Sequence, residues 1–329
     1  MNPFEYQRAG DAELAVKAIS AGEHVKLLAG GTNLIDLMKN GVEHPTKLVD
    51  VGRLPLANIE TLPDGGLRIG ALARNNDTAN HALVRSNYPL LTQAILAGAS
   101  PQLRNMATNG GNLMQRTRCY YFMDPGFAHC NKRTPGSGCA ALEGLNRIHA
   151  ILGASEQCIA TNPSDMSVAL AALEATIRVR GPRGERTIPI ADFHRLPGTT
   201  PNVDTNLKHD ELIVSIDLPR SPYARHSHYL KVRDRASYAF ALVSVAAALD
   251  LDGDQIRSAR VALGGVAHKP WRSLEAEKSL TGKAMNARAF EEAASVALTG
   301  AKTYRYNEFK VQMAKHAIVS ALTTAGGAA

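Results

Sequence analysis

The segment from residue 25 to residue 51 limits the possible folds more than any other. Residues 25–29, apolar except for Lys26, are a run short enough for a buried strand, and Gly30-Gly31-Thr32-Asn33 makes a turn. Residues 34–39 resume at helical spacing, and residues 47–51 form a second strand pattern. A helix is expected just before this segment, over residues 11–21. Asp11 would cap it, Leu14, Ala15, Ala18 and Ile19 would face the core, and Gly22 would end it. Helix, strand, glycine turn, helix and strand make an α/β order.

The pattern then changes twice. Residues 66–71 suit a strand, residues 77–84 and 90–99 suit helices, and residues 101–112 are a polar, glycine-containing loop. A cysteine-bearing segment follows, punctuated by Pro125, Gly126, Pro135, Gly136 and Gly138, and is expected to be mostly loop. Next come a helix over 166–173, a hairpin pairing 176–180 with 186–190, and an alternating strand over 211–218. The stretch from Pro219 to Pro222 has the composition of a linker. Beyond it, strands are expected at 228–233 and 255–264, strand or helix at 239–250, and helices at 273–280, 287–298 and 307–323. The chain therefore divides into a first α/β lobe (1–58), a second lobe (59–220) and an α+β module (221–329).

Composition removes several function classes. With 45% hydrophobic and 20% charged residues the chain is globular rather than disordered. Only 5% is aromatic, with one Trp, so the core must rest on Leu, Val, Ile and Ala. The 37 Lys and Arg against 30 Asp and Glu leave +7, spread without a long basic run, which does not indicate nucleic-acid binding. The longest nearly apolar stretch, 239–249, falls short of the ~20 residues that span a bilayer. The first residues carry no basic and apolar leader, so synthesis in the cytosol is expected.

Two loops suggest a phosphate-bearing ligand. A strand that runs into Gly30-Gly31 and then a helix lets backbone N–H groups approach an anion. It is neither a GxGxxG fingerprint nor a P-loop, so an ordinary strand-to-helix connection stays open. Thr108-Asn109-Gly110-Gly111-Asn112 offers a second set of small donors, or a polar surface loop. Arg104, Arg116 and Arg118 either pair with phosphates or sit in solvent. No Gly-x-Ser-x-Gly, His-Glu-x-x-His or acid/base pair is present. The 11 histidines are dispersed. His129 and His149 lie near cysteines, where a structural role is expected.

All four cysteines, Cys119, Cys130, Cys139 and Cys158, fall within 40 residues. Their spacing lacks the tight knuckles of structural zinc sites and the C-x2-C of thioredoxins. It is compatible with a four-iron cluster, whose corners need only converge in space. Zinc, disulfides and unrelated free thiols remain alternatives.

Taken together and in order, several motifs resemble one family. They are Met1-Asn-Pro-Phe-Glu-Tyr6, Leu28-Ala-Gly-Gly-Thr-Asn-Leu34, Arg104-Asn-Met-Ala-Thr-Asn-Gly-Gly-Asn112, Asn162-Pro-Ser-Asp165, Tyr229-Leu-Lys-Val-Arg233 and Ala262-Leu-Gly-Gly-Val-Ala-His-Lys-Pro-Trp-Arg272. Over nearly its whole length the chain resembles the FAD-binding medium subunit of the molybdenum hydroxylases, the xanthine dehydrogenase and carbon monoxide dehydrogenase family. The resemblance implies a two-lobed FAD-binding domain of the vanillyl-alcohol-oxidase (PCMH) type, mixed α/β, and a C-terminal α+β domain with an antiparallel sheet and helices.

It also implies a set of FAD contacts. Lys26, Leu27, Leu28, Ala29, Gly30, Gly31, Thr32, Asn33 and Leu34 would form the first FAD loop. Thr108, Gly111 and Asn112 would run along the pyrophosphate. Asp165, supported by Ser164, would hold the adenosine ribose. Ile213 would flank the flavin, and Lys231 would approach the isoalloxazine. No catalytic residue is expected on this chain.

The chain departs from common members by an insertion at 113–163 that holds all four cysteines. In this it looks closest to the FAD/[4Fe–4S] subunit of bacterial periplasmic aldehyde oxidoreductases, and Cys119, Cys130, Cys139 and Cys158 become the implied ligands of a [4Fe–4S] cluster. The implied function is electron transfer within a heterotrimer. A large molybdenum-cofactor subunit would oxidise aldehyde and water to the acid. A small subunit with [2Fe–2S] clusters would pass electrons to FAD here, and an external acceptor would take them. The stretch from Arg235 to Phe240 lacks the acidic residues of NAD-using relatives, which leaves quinone-like, protein or oxygen acceptors. Location in the periplasm, by co-export with a signal-bearing partner, is implied, with the cytoplasm as alternative. The competing readings are a stand-alone flavin oxidase of the same fold and a scaffold with a vestigial flavin site.

Overall fold

Three sheets follow one another along the chain in the computed structural model, which describes residues 1–327. The first holds β1 (Glu5–Arg8), β2 (Val25–Leu28) and β3 (Lys47–Asp50), all parallel, in the order β1-β3-β2. Parallel strands need crossovers: the helix Leu34–Lys39 connects the neighbours β2 and β3, and the helix Ala12–Ile19 carries the chain from β1 past the β3 position to β2. Asp11 caps it by accepting from the Leu14 N–H at 2.7 Å. The buried stripe is Ala15, Val16 and Ile19, whereas Leu14, expected inside, is exposed. A stripe centred on those three leaves residue 14 at its edge.

The second sheet contains β4 (Ile59–Thr61), β5 (Leu67–Gly70), β6 (Thr176–Gly181), β7 (Gly184–Pro189) and β8 (Leu212–Leu218). It is antiparallel in the order β4-β5-β8-β6-β7, and the expected hairpin is β6 and β7. Two expectations fail beside this sheet. Residues 101–112 are not an open loop but two short helices, Pro101–Met106 and Asn109–Leu113. Ser100 Oγ accepts from the Leu103 N–H with Pro101 in the first turn, and Thr108 Oγ1 accepts from the Gly111 N–H, so capping outweighs the glycine content. The helix expected at 77–84 is broken at His81, whose extended backbone separates Asn75–Asn80 from Ala82–Asn87.

The third sheet comprises β9 (Ser227–Val232), β10 (Val243–Asp252), β11 (Gln255–Gly264) and β12 (Trp271–Arg272), antiparallel in the order β12-β11-β10-β9. The ambiguous stretch at 239–250 is thus a strand, and both its faces are buried. Val243, Val245, Ala247 and Leu249 join a core with the helices Leu274–Leu280, Ala287–Ala297 and Phe309–Ala325. Ala246 and Ala248 alternate with them and face the core of the second lobe. The helix Asp165–Ala172 lies in that second core with all eight residues buried. Small side chains on β10 accommodate it, which is how an aromatic-poor sequence joins the second lobe to the third sheet. Between these scaffolds the insertion 113–163 is mostly irregular. It has one helical turn, Tyr120–Met123, and isolated bridges that pair Cys130 with Cys139 and Ser155 with Cys158. Among the described residues no helix is long and apolar enough to cross a membrane.

Candidate cofactor sites

A cavity of about 590 Å3 opens between the first and second sheets, with His268 of the β11–β12 connection on its wall. The whole run from Lys26 to Leu34 lines it, together with Thr108, Gly111 and Ile213. Gly31 has φ +72, which turns the chain sharply out of β2. At Gly30 the two glycine loops nearly touch: a Cβ there would stand 2.0 Å from the Met106 carbonyl oxygen. Among the described residues, no backbone carbonyl or side chain accepts from the amides of Gly30, Gly31, Thr32 or Asn33. Successive unpaired N–H groups around a positive-φ glycine form a concave anion site. The buried Asn33 Nδ2 also lacks a partner, although its Oδ1 accepts from the Arg116 N–H at 3.1 Å. Unpaired donors on the wall of a large cavity fit a diphosphate-bearing cofactor such as FAD.

The second loop contributes differently. Its amides are already engaged, Gly110 N–H to the Ala71 carbonyl and Gly111 N–H to Thr108 Oγ1. The remaining expected contacts, Asn112, Ser164, Asp165 and Lys231, do not line this cavity. They form a chain of their own beside it. Ser164 Oγ donates to Asn112 Oδ1 at 2.6 Å and caps the helix Asp165–Ala172. Asp165 accepts from Tyr229 Oη at 2.7 Å and from Lys231 Nζ at 2.8 Å, and both ionic partners are buried. Burial beside that carboxylate pushes the Tyr229 phenol well above its ordinary pKa.

The arginines offered for phosphates are occupied by protein groups. Arg104 donates to the Gly98 carbonyl at 2.7 Å. Arg118 pairs with Asp36 at 2.6 Å. Arg116 pairs with Glu43 at 2.6 Å and Asp204 at 2.8 Å. Asp204, His194 and His268, none of them singled out in the sequence, also line the cavity. Burial lowers both imidazoles to about 4, so they are neutral at pH 7. Each spends one ring nitrogen on a carbonyl, His194 Nε2 on Leu113 and His268 Nδ1 on Arg195. His268 stood within a quoted motif, but nothing in its neighbours marked its position.

The four cysteines share a second, smaller cavity. All of them line it, with Phe122, Ala141 and Ala160 among the apolar walls. Cys119, Cys130 and Cys158 are buried, Cys139 is partly exposed, and none forms a disulfide. Burial pushes the Cys119 thiol up to about 12, and His149 Nε2 lies 3.1 Å from its sulfur. A hydrogen bond from Cys158 holds Cys139 down to about 6 and raises its partner. Among the described residues no three His, Cys, Asp or Glu groups are arranged to hold a single metal ion. Four soft ligands around one apolar hollow nonetheless match the donor set of a cubane cluster.

Comparison with known proteins decides the family. Residues 2–221 match the family described as "FAD binding domain in molybdopterin dehydrogenase", and residues 228–325 match "CO dehydrogenase flavoprotein C-terminal domain". The chain belongs to the FAD-binding subunits of the molybdenum hydroxylase family. It is 51% identical over 326 residues to the aldehyde oxidoreductase FAD-binding subunit PaoB of Escherichia coli, covering 99% of each chain. It is 32% identical to the glyceraldehyde dehydrogenase medium chain of Sulfolobus acidocaldarius, over 86% of this chain and 83% of the relative. Its fold matches a carbon monoxide dehydrogenase structure from Hydrogenophaga pseudoflava with TM-score 0.78 and 27% identity, over 99% of this chain and 98% of that one. The expected mixed α/β fold with a C-terminal sheet domain is therefore borne out. So is membership in an oxidoreductase complex.

Proposed function

We propose that this flavin subunit carries electrons out of an aldehyde-oxidising molybdenum enzyme, and that Cys119, Cys130, Cys139 and Cys158 bind a [4Fe–4S] cluster. The full-length identity to an aldehyde oxidoreductase subunit supports the aldehyde assignment. Convergence of all four cysteines on one hollow supports the cluster. Bound FAD would supply a carrier that takes electrons from iron–sulfur centres and releases them to an external acceptor.

The chain's own part is to bind and orient. The unpaired amides of Gly30–Asn33 and the Asn33 side chain would hold the diphosphate, with Thr108 and Gly111 opposite. Ile213 and Leu34 would pack on the cofactor's apolar parts. Asn112, Ser164, Asp165 and Lys231 would contribute as a hydrogen-bonded support that fixes the second loop. The partners are a large molybdenum-cofactor subunit and a small [2Fe–2S] subunit. The working compartment is the periplasm, reached with a signal-bearing partner, and fractionation of cells checks it.

The test uses the purified complex. Aldehyde should bleach the flavin band, and the flavin subunit should hold about four iron and four acid-labile sulfide. A complex without flavin refutes the electron-carrier reading. Zinc in place of iron refutes the ligand assignment. Turnover of aldehyde by the isolated chain would instead support a stand-alone oxidase.

A further inference from the structure

The flavin cavity and the cysteine cavity share a wall. Asp204 lines the first, and Lys132 lines the second, two residues beyond Cys130. The Lys132 ammonium donates to Asp204 Oδ1 and, at 2.7 Å, to the Pro201 carbonyl. Its side chain is 1% exposed, so the charge is buried and needs its partner. The other carboxylate oxygen of Asp204 accepts from Arg116 Nε at 2.8 Å. Arg116 reaches on to Glu43 at the flavin cavity and stacks 4.6 Å from the Phe122 ring, which belongs to the cysteine cavity. His268 Nε2 stands 3.9 Å from Asp204 and is neutral, so it adds no charge.

We propose that Asp204 is a positioning residue shared by both cofactor sites: it holds the Lys132 ammonium against the cysteine cavity and the Arg116 guanidinium against the flavin cavity, so one ion network sets both reduction potentials. The proposal rests on the cluster reading given above. A cluster held by four thiolates is anionic, and reduction adds negative charge to it. A fixed cation nearby favours the reduced form and a fixed anion opposes it, strongly where water is excluded. A brace that merely held the insertion in place would lower stability alike in every variant. A charge relay shifts potentials in opposite directions according to the charge removed.

The experiment is a redox titration of the purified complex, with the cluster followed by electron paramagnetic resonance and the flavin by absorbance. Iron and flavin contents are measured in every sample. Lys132→Gln should lower the cluster potential, and Lys132→Arg should restore it. Asp204→Asn should raise the potentials of both cluster and flavin. If Asp204→Asn does not fold, Lys132→Gln read on the cluster and Arg116→Gln read on the flavin carry the test, each expected to lower the potential of its own site and leave the other nearly unmoved. Iron- and flavin-loaded variants with unshifted potentials, or an Asp204→Asn shift of the same sign as Lys132→Gln, overturn the proposal. A wild-type complex without iron overturns the cluster reading, and the proposal with it.

Discussion

Replacing Gly30 by alanine should loosen FAD more than any other single methyl added to the first loop. The new Cβ would stand 2.0 Å from the Met106 carbonyl oxygen, 2.8 Å from its carbon and 3.2 Å from Ala107 Cα. Ordinary contact begins near 3.4 Å, so the loops must part by about 1.4 Å. Every atom met is backbone, and no rotamer can relieve the clash. Overpacking of this kind costs about 1–3 kcal/mol. The strain falls on the two loops that line the flavin cavity, so a cost of about 1.4 kcal/mol borne by the bound geometry already weakens the ligand tenfold. The expected result is a loss of flavin affinity of about tenfold or more, read by fluorescence titration of flavin-stripped protein with FAD. Gly22→Ala is the control, since nothing lies within 4 Å of its Cβ. Equal FAD affinity in Gly30→Ala and wild type would refute the claim that loop approach builds the site.

Three other outcomes are expected. Asp165→Ala leaves Lys231 buried without its carboxylate and Tyr229 without its acceptor, and should cost about 3–5 kcal/mol of stability in a urea titration. Acid should destabilise the chain well before its carboxylates titrate. His194 and His268 fall to about 4 in the fold from an ordinary 6.5, so the unfolded chain binds more protons between those values. Their contribution is complete above about pH 6.5 and is lost as pH falls toward 4, and His268→Gln should flatten the slope of melting temperature against pH over that window. In iron-free protein at neutral pH, Cys139 should be alkylated first, because it is the partly exposed cysteine and its pKa is near 6. Peptide mass spectrometry checks the order, and iron loading should protect all four positions.

Much of the fold was legible because its signals are local. Asp11 caps its helix, the Val25–Leu34 run forms strand, turn and helix, and the 176–190 hairpin pairs as expected. The errors lie where capping or packing overrode composition. Glycine in 108–112 suggested a loop, but Thr108 and Ser100 cap short helices there. The 239–250 segment had no decisive period because β10 is buried on both faces. Of the expected flavin contacts, Lys26 through Leu34, Thr108, Gly111 and Ile213 line the cavity. Asn112, Ser164, Asp165 and Lys231 stand in the support beside it. Arg116 stood open between a phosphate and solvent, and neither holds, because its partners Glu43 and Asp204 are 73 and 88 residues away.

The sequence by itself determined the strand–turn–helix of the first lobe, the 176–190 hairpin, the family resemblance and the grouping of four cysteines in one insertion, since each depends on neighbours along the chain. Tertiary structure alone decided which groups share a wall. Asp204, His194, His268 and Lys132 come from separate segments, and no periodicity links them. They meet because the shared core around the helix Asp165–Ala172 fixes the third sheet against the second lobe, while Ile151 and Leu152 tie the insertion into the core of the third sheet. Buried charge then has to find a partner wherever the fold delivers one.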